Sequence, residues 1–195
     1  MYRIASLVIG YLFGNLLTAE LVARLHLHKS AFEIGSGNPG TANITKQAGL
    51  KYGAIVLSGD ILKTVAACLL CRYVLFPPAD GLPLSGALRV AWAGLGCTIG
   101  HNLPFWHRFK GGKGVATTCA TLFLISPVPG TLAMLIGLAA VKLKKSLAWG
   151  GILIPAAFIP FSVMYFGNEM TFLTLVLTAF MVWRHFRSLK EEMGR

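Results

Sequence analysis

Apolar runs recur along the chain at about residues 5–23, 52–76, 87–106, 115–126, 130–143, 146–166 and 169–183, separated by short polar stretches. Runs near twenty residues match the hydrocarbon thickness of a bilayer when wound as helices. The pattern predicts an all-α integral membrane protein: one domain over residues 1–195, built as a bundle of about seven transmembrane helices, some of them short. The first run follows Met1-Tyr2-Arg3, yet it carries Asn15 and Glu20 and lacks a small-x-small cleavage site near its end. It therefore reads as a retained helix rather than a signal peptide. The fourth and fifth runs are brief and joined through SPVPG at Ser126 to Gly130, which fits either one proline-kinked span or a hairpin of two short helices.

Charge separates these two readings. With the N-terminus outside, the first span brings Arg24, Lys29, Lys46 and Lys51 inside, and the third brings Arg108, Lys110 and Lys113. A hairpin at Ser126 returns Lys142, Lys144 and Lys145 to the same side, and two more spans leave Arg184, Arg187, Lys190 and Arg195 there. Only Arg3, Arg72 and Arg89 then lie outside, with Lys63 inside a span. A single crossing would strand the KLKK cluster outside, against the positive-inside rule. The prediction is a hairpin, an outside N-terminus and a cytoplasmic C-terminus.

Composition agrees: 55% of the 195 residues are hydrophobic, 13% are charged and the mean hydropathy is +0.65, which excludes an ordinary soluble domain. A net charge of +11 then orients spans and attracts anionic groups, and no nucleic-acid partner is expected. Cys68, Cys71, Cys97 and Cys119 all sit in apolar runs and read as packing residues without a disulfide framework.

Two polar loops on the inner side carry the candidate chemistry. In EIGSGNPGTANITK, Gly35, Gly37 and Gly40 allow close backbone approach to a ligand, while Ser36, Asn38, Thr41 and Asn43 offer side-chain hydrogen bonds. In FKGGKG, Lys110 and Lys113 alternate with Gly111, Gly112 and Gly114 at the start of a helix. Convergent backbone N–H groups, a helix N-terminus and two full charges make an anion site suited to phosphate. This is not a Walker loop, because Gly114 follows Lys113 where Ser or Thr belongs. Asp60 and Lys63 fall three apart on one face of the second run, where an intramembrane ion pair marks either a packing device or support for a site. His101 and His185 stand at the same inner face. His26, His28 and His107 read as interfacial, Met134, Met164, Met170 and Met181 as packing, and Arg184, Arg187 and Lys190 as a basic stripe facing either lipid or the site.

Together, GSGNPGTAN (Gly35 to Asn43) and GHNLPFWHRFKGGKGVATT (Gly100 to Thr118) resemble signatures of the bacterial membrane family of acyl-phosphate:glycerol-3-phosphate acyltransferases. The resemblance covers essentially the whole chain. It implies a seven-helix bundle in the bacterial plasma (inner) membrane with its site at the cytoplasmic face. It also implies transfer of a fatty acyl group from acyl phosphate to the 1-hydroxyl of glycerol 3-phosphate, a step of phospholipid biosynthesis that yields lysophosphatidic acid and phosphate. By carry-over, Ser36, Lys46, Lys113 and His185 surround the glycerol phosphate, with Ser36, Lys113 and His185 as candidate catalytic residues. Gly111 to Gly114 receive the acyl phosphate or the leaving phosphate. Gly35, Gly37, Asn38, Asn43, His101, Lys110 and Ser188 complete the expected substrate-binding set. The expected partners are the two substrates and membrane lipid, with no cofactor and no metal.

Several positions depart from the family pattern. Thr41-Ala42 stands for Ala-Thr, Lys46 for Arg, Ser188 for Asn and Glu191 for Arg. Competing readings are a transporter of an anionic phosphorylated metabolite and a catalytically silent relative. A thioester-dependent acyltransferase of the H-x-x-x-x-D type is not supported, since none of the five histidines has Asp five residues on.

Overall fold

A computed structural model describes residues 1–78 and 82–193, with side chains as far as Lys190; Arg195 and the Glu191 side chain fall outside the described residues. The described residues form nine α-helices. Helices α1 (Tyr2–Gly14) and α2 (Thr18–Leu27) together make the first apolar segment, with a break at residues 15–17. The short α3 (Thr41–Ala48) leads into α4 (Leu50–Leu69), which continues as a π-helical turn over Leu70–Leu75. Then follow α5 (Pro83–Asn102), α6 (Val115–Ile125), α7 (Pro127–Lys144), α8 (Leu147–Tyr165) and α9 (Gly167–Met193). Segments Tyr2–Leu27, Leu50–Leu75, Pro127–Lys144 and Leu147–Tyr165 are long and apolar enough to cross a membrane. Helix α6 is apolar but shorter, and α5 and α9 have the length while mixing in polar groups such as Asn102 and His185.

The closest helix pair is built on glycine. Gly10 and Gly14 of α1 press against the Ala93 and Cys97 carbonyls of α5, and Gly96 and Gly100 of α5 press against the Leu7 and Tyr11 carbonyls of α1. Small residues spaced by four allow helix backbones to meet without hydrophobic driving force, which lipid does not supply between helices. Residue numbers rise together along this contact, so the first and third long segments run parallel. Helices α4 and α6 each run antiparallel to α5. Thr64 meets Cys97 at 3.3 Å and the Cys68 thiol reaches the Val90 carbonyl at 3.6 Å, while Thr98 meets Thr117 at 3.0 Å.

Ser126 ends α6 in an extended conformation, and Pro127 opens α7 at a position where its missing N–H costs nothing. Across this turn Gly130 lies against Leu122 and Phe123. The two arms are therefore an antiparallel hairpin, as the lysine distribution predicts. Helix α8 starts under a Ser146 cap that accepts the Ala148 N–H at 3.2 Å and folds back on α7 through Gly137 and Gly150. As a result α2, α5, α7 and α9 end, and α4, α6 and α8 begin, at one end of the bundle. That end carries Lys46, Lys113, the Lys142 to Lys145 cluster and Arg184. At the opposite end Glu169 accepts two hydrogen bonds from Arg3, at 2.7 and 2.6 Å, and one from the Trp92 indole at 2.8 Å, tying α9 to α1 and α5. Met170 and Met181 are fully buried beside Phe158 and Leu122, as packing residues should be.

The glycine contact makes a direct prediction. A Cβ at Gly96 would drive into the Leu7 carbonyl. Gly96→Val should destabilise the fold by about 1–3 kcal/mol, as overpacking does, read as a lower melting temperature of the detergent-purified protein. Val8→Leu, on the outward face of α1, should leave it unchanged.

Candidate active site

Loop 28–40 is held from behind by a buried carboxylate. Glu20 on α2 accepts from the Ala31 N–H at 2.7 Å, from the Ser30 hydroxyl at 3.0 Å and from Arg24 at 2.8 Å. Asn43, on the first turn of α3, closes the loop from the other side. Its amide donates to the Ile34 carbonyl at 3.0 Å and its oxygen accepts the Ser36 N–H at 3.0 Å. Gly35 and Gly37 take left-handed backbone with φ of 52° and 69°, and a side chain at 35 would strike Asn43. Asn43 thus shapes the loop, and it holds Ser36 at the opening where Asn38, Gly40 and Thr41 also gather.

The second loop is a clamped strut. The Gly112 N–H donates to the His101 carbonyl at 3.0 Å, and the Lys110 N–H donates to the His107 carbonyl at 3.0 Å. Arg184 on α9 donates to the Gly111 and Gly112 carbonyls at 3.1 and 2.8 Å. The peptide joining Gly111 to Gly112 is therefore spent at both ends. The convergence of several amides suggested by the glycines does not form at this point. Gly111 and Gly112 are instead small because His101 and Pro104 leave no room: a Cβ on either would meet the His101 carbonyl or ring. Only Gly114 of the three lines the cavity, with φ of 75° where α6 begins. Lys110 is exposed and outside the lining; Gly37 is outside it too.

Between these loops and the helix ends lies a cavity of about 810 Å³. Ser36, Lys46, Lys113 and His185, predicted from widely separated stretches, all line it, as do Gly35, Asn38, Asn43, His101 and Gly114. Lys113 donates to the Ser188 hydroxyl at 2.5 Å, so Ser188 holds the lysine head rather than the cavity wall. His185 is 1% exposed, and Gly151 makes room for its ring. Neither ring nitrogen makes a well-formed hydrogen bond among the described residues, although the Lys113 backbone lies close. Asp60 is the one acidic residue in the lining, and Lys63 pairs with it at 2.8 Å. The polar end is therefore left with the charges of Lys46 and Lys113.

From that polar end the cavity continues between α4, α6, α7 and α8 along an apolar wall of Ile61, Cys119, Met134, Leu138, Val141 and Ile154. Sequence reasoning assigns Cys119 and Met134 to packing; the structure places both on this wall. The missed signal is small residues at facing positions. Gly137 and Gly150 bring α7 and α8 close, and without side chains there the wall stays open. Arg184 is the other residue the sequence left unassigned between lipid and site, and its hydrogen bonds to the strut decide for the site.

Comparison with known proteins agrees with this geometry. The family model described as glycerol-3-phosphate acyltransferase matches residues 4–193. A relative from Lactobacillus johnsonii, glycerol-3-phosphate acyltransferase 1, is 38% identical over 94% of this chain and 85% of its own. The glycerol-3-phosphate acyltransferase of Cupriavidus metallidurans is 36% identical over 95% and 90%. Crystal structures of PlsY, an integral membrane glycerol 3-phosphate acyltransferase, superpose at TM-scores of 0.83 for its glycerol 3-phosphate form and 0.82 for its lysophosphatidic acid form. Each is 26% identical and covers 100% of this chain and 93% of the other. The matched span, the shared helical architecture and the convergence of both loop signatures on one cavity lead to the same conclusion: the chain is an integral membrane enzyme belonging to the glycerol-3-phosphate acyltransferase family.

Proposed function

We propose that the cavity transfers a fatty acyl group from acyl phosphate to the 1-hydroxyl of glycerol 3-phosphate, releasing phosphate and leaving lysophosphatidic acid, at the cytoplasmic face of a bacterial plasma membrane. One observation carries the reading: a single cavity joins a cationic, glycine-shaped end to an apolar slot between helices. An acyl phosphate has that same division, an anionic head on a long apolar tail. A transporter site for a small phosphorylated metabolite has no use for the slot. The glycerol 3-phosphate and lysophosphatidic acid forms of PlsY, whose fold this chain shares, support the same acceptor and product.

In this reading Lys113, Lys46 and Ser36 bind the acceptor phosphate beside His185, and Ser188 aims the Lys113 ammonium. The 1-hydroxyl oxygen attacks the acyl carbonyl carbon, the bond from that carbon to the phosphate oxygen breaks, and the departing phosphate takes the hydroxyl proton. The donor is already a mixed anhydride, so no acyl-enzyme is needed; holding both reactants in one pocket supplies the acceleration. Cations fixed beside the phosphates stabilise charge that grows on the leaving group. The lysines gathered at the cavity end support the inner placement.

Lys113→Ala should fold normally, judged by its elution from size exclusion, and lose about 10- to 100-fold in kcat/KM, the worth of a charge-assisted hydrogen bond. The assay is phosphate release from acyl phosphate, which should require glycerol 3-phosphate. Uptake of a phosphorylated metabolite into sealed vesicles without acyl product would instead identify a transporter. Lys46→Arg, which restores a two-pronged phosphate donor, should lower the KM for glycerol 3-phosphate several-fold. Cysteines placed at Glu33 and Lys110, both exposed, should label from the same, cytoplasmic side of the membrane; labelling from opposite sides would end the shared-site reading.

A further inference from the structure

His101, Lys63 and Asp60 form a buried cluster behind the polar end of the cavity, with 4%, 7% and 2% of their surfaces exposed. Asp60 and His101 reach the lining while Lys63 stays behind them. The Lys63 amine donates to the Leu16 carbonyl at 2.6 Å and to the Gly14 carbonyl at 3.3 Å, the oxygens left without helical partners where α1 stops. It also lies 2.8 Å from the Asp60 carboxylate and 3.0 Å from the His101 Nδ1. Four neighbours surround its three protons, the Gly14 carbonyl being the most distant; an ammonium has no lone pair to accept with, so at 3.0 Å the Nδ1 can only accept and carries no proton. Asp60 does not compete for that nitrogen: its oxygen is 3.6 Å away, beyond hydrogen-bond distance, and it takes the Lys63 charge and a Thr18 hydroxyl at 3.3 Å instead. The charged groups facing the ring are Asp60, Lys63 and, from α9, Arg184.

We infer that Lys63 fixes His101 as the neutral tautomer with its proton on Nε2, making His101 a hydrogen-bond donor to a substrate oxygen and not a general base. The inference rests on the acyl-transfer reading for what is bound, but not for the tautomer. The Nε2 edge of the ring packs beside Gly112, which has no side chain to displace it, and His101 itself lines the cavity. His101 also accepts the Gly112 N–H through its own carbonyl. Ring and strut are thus one unit at the cavity wall, and the Nε2 proton is the one left for a substrate oxygen. Asp60 and Lys63 are positioning residues: Asp60 offsets the buried charge, and Lys63 dictates which nitrogen bears the proton. A base at His101 would instead need an unprotonated nitrogen facing the acceptor hydroxyl, and the unprotonated nitrogen faces Lys63.

The test is nitrogen NMR of histidine-labelled protein in lipid bilayers, with the His101 resonances assigned by their loss in His101→Gln. The wild-type protein should show an unprotonated Nδ1 and a protonated Nε2. A proton on Nδ1, or on both nitrogens, overturns the inference. In Lys63→Met, Asp60 becomes the nearest acceptor, so the proton should move to Nδ1. That variant should lose roughly 100-fold in kcat, as when a donor to developing charge is removed, with the KM for glycerol 3-phosphate little changed. An unmoved proton in Lys63→Met overturns the role given to Lys63. Should Lys63→Met not fold, Asp60→Asn keeps the lysine donor and should retain the wild-type tautomer; a proton on Nδ1 there overturns the inference equally. His101→Gln, whose amide still donates, should keep more activity than His101→Ala, and equal losses count against a donor. Wild-type protein with the expected tautomer but no turnover would count against acyl transfer and leave the hydrogen-bond assignment standing.

Discussion

Lipid offers no hydrogen bonds, so every backbone group released from a helix within the bundle has to be answered by the protein itself. At the break between α1 and α2 the answer is one ammonium, with Lys63 taking the Gly14 and Leu16 carbonyls. Asn15 serves the same break from the other side, donating to the Tyr11 carbonyl at 2.5 Å and accepting the Phe105 N–H at 2.7 Å. Both residues reach from the break toward the second signature, Asn15 to its 3-10 turn over Phe105–His107 and Lys63 to His101. The irregular backbone that would be a liability in a membrane is thereby converted into the connection between the first helix and the second signature loop.

Glycine serves three separate purposes here, which is why the glycine-rich look of the sequence was partly misleading. At positions 10, 14, 96 and 100 it lets two parallel helices touch backbone to backbone. At Gly35, Gly37 and Gly114 it supplies left-handed backbone in the two signature loops. At Gly111 and Gly112 it only makes way for His101 and lets Arg184 reach two carbonyls. Composition does not distinguish these uses, because each depends on what lies opposite.

The segment order, the hairpin at Ser126 and the gathering of cationic loops at one end were legible because bilayer thickness and charge asymmetry act on local sequence. The polar half of the site was legible for a related reason: Ser36, Lys46, Lys113 and His185 are polar residues where apolar ones would be cheaper. The apolar slot left no such mark. Cys119, Met134, Leu138 and Ile154 read the same in sequence whether they face a neighbour, lipid or an acyl chain. Only their convergence distinguishes them. The break inside the first run was hidden as well, since Leu16 and Leu17 continue the apolar pattern through it.

The Arg184 contacts bear on the electrostatics of the whole site. Two carbonyl oxygens of the strut lie beside the cationic end of the cavity, and uncovered they would present the negative ends of their dipoles toward it. Arg184 covers both and leaves its charge nearby, so a repulsive pair of dipoles becomes a source of attraction. Both bonds run from the one Nη2 nitrogen, so the two oxygens share a single donor group. Arg184 thus holds the backbone of the strut from behind, while Lys46 and Lys113 carry the charges that line the cavity itself.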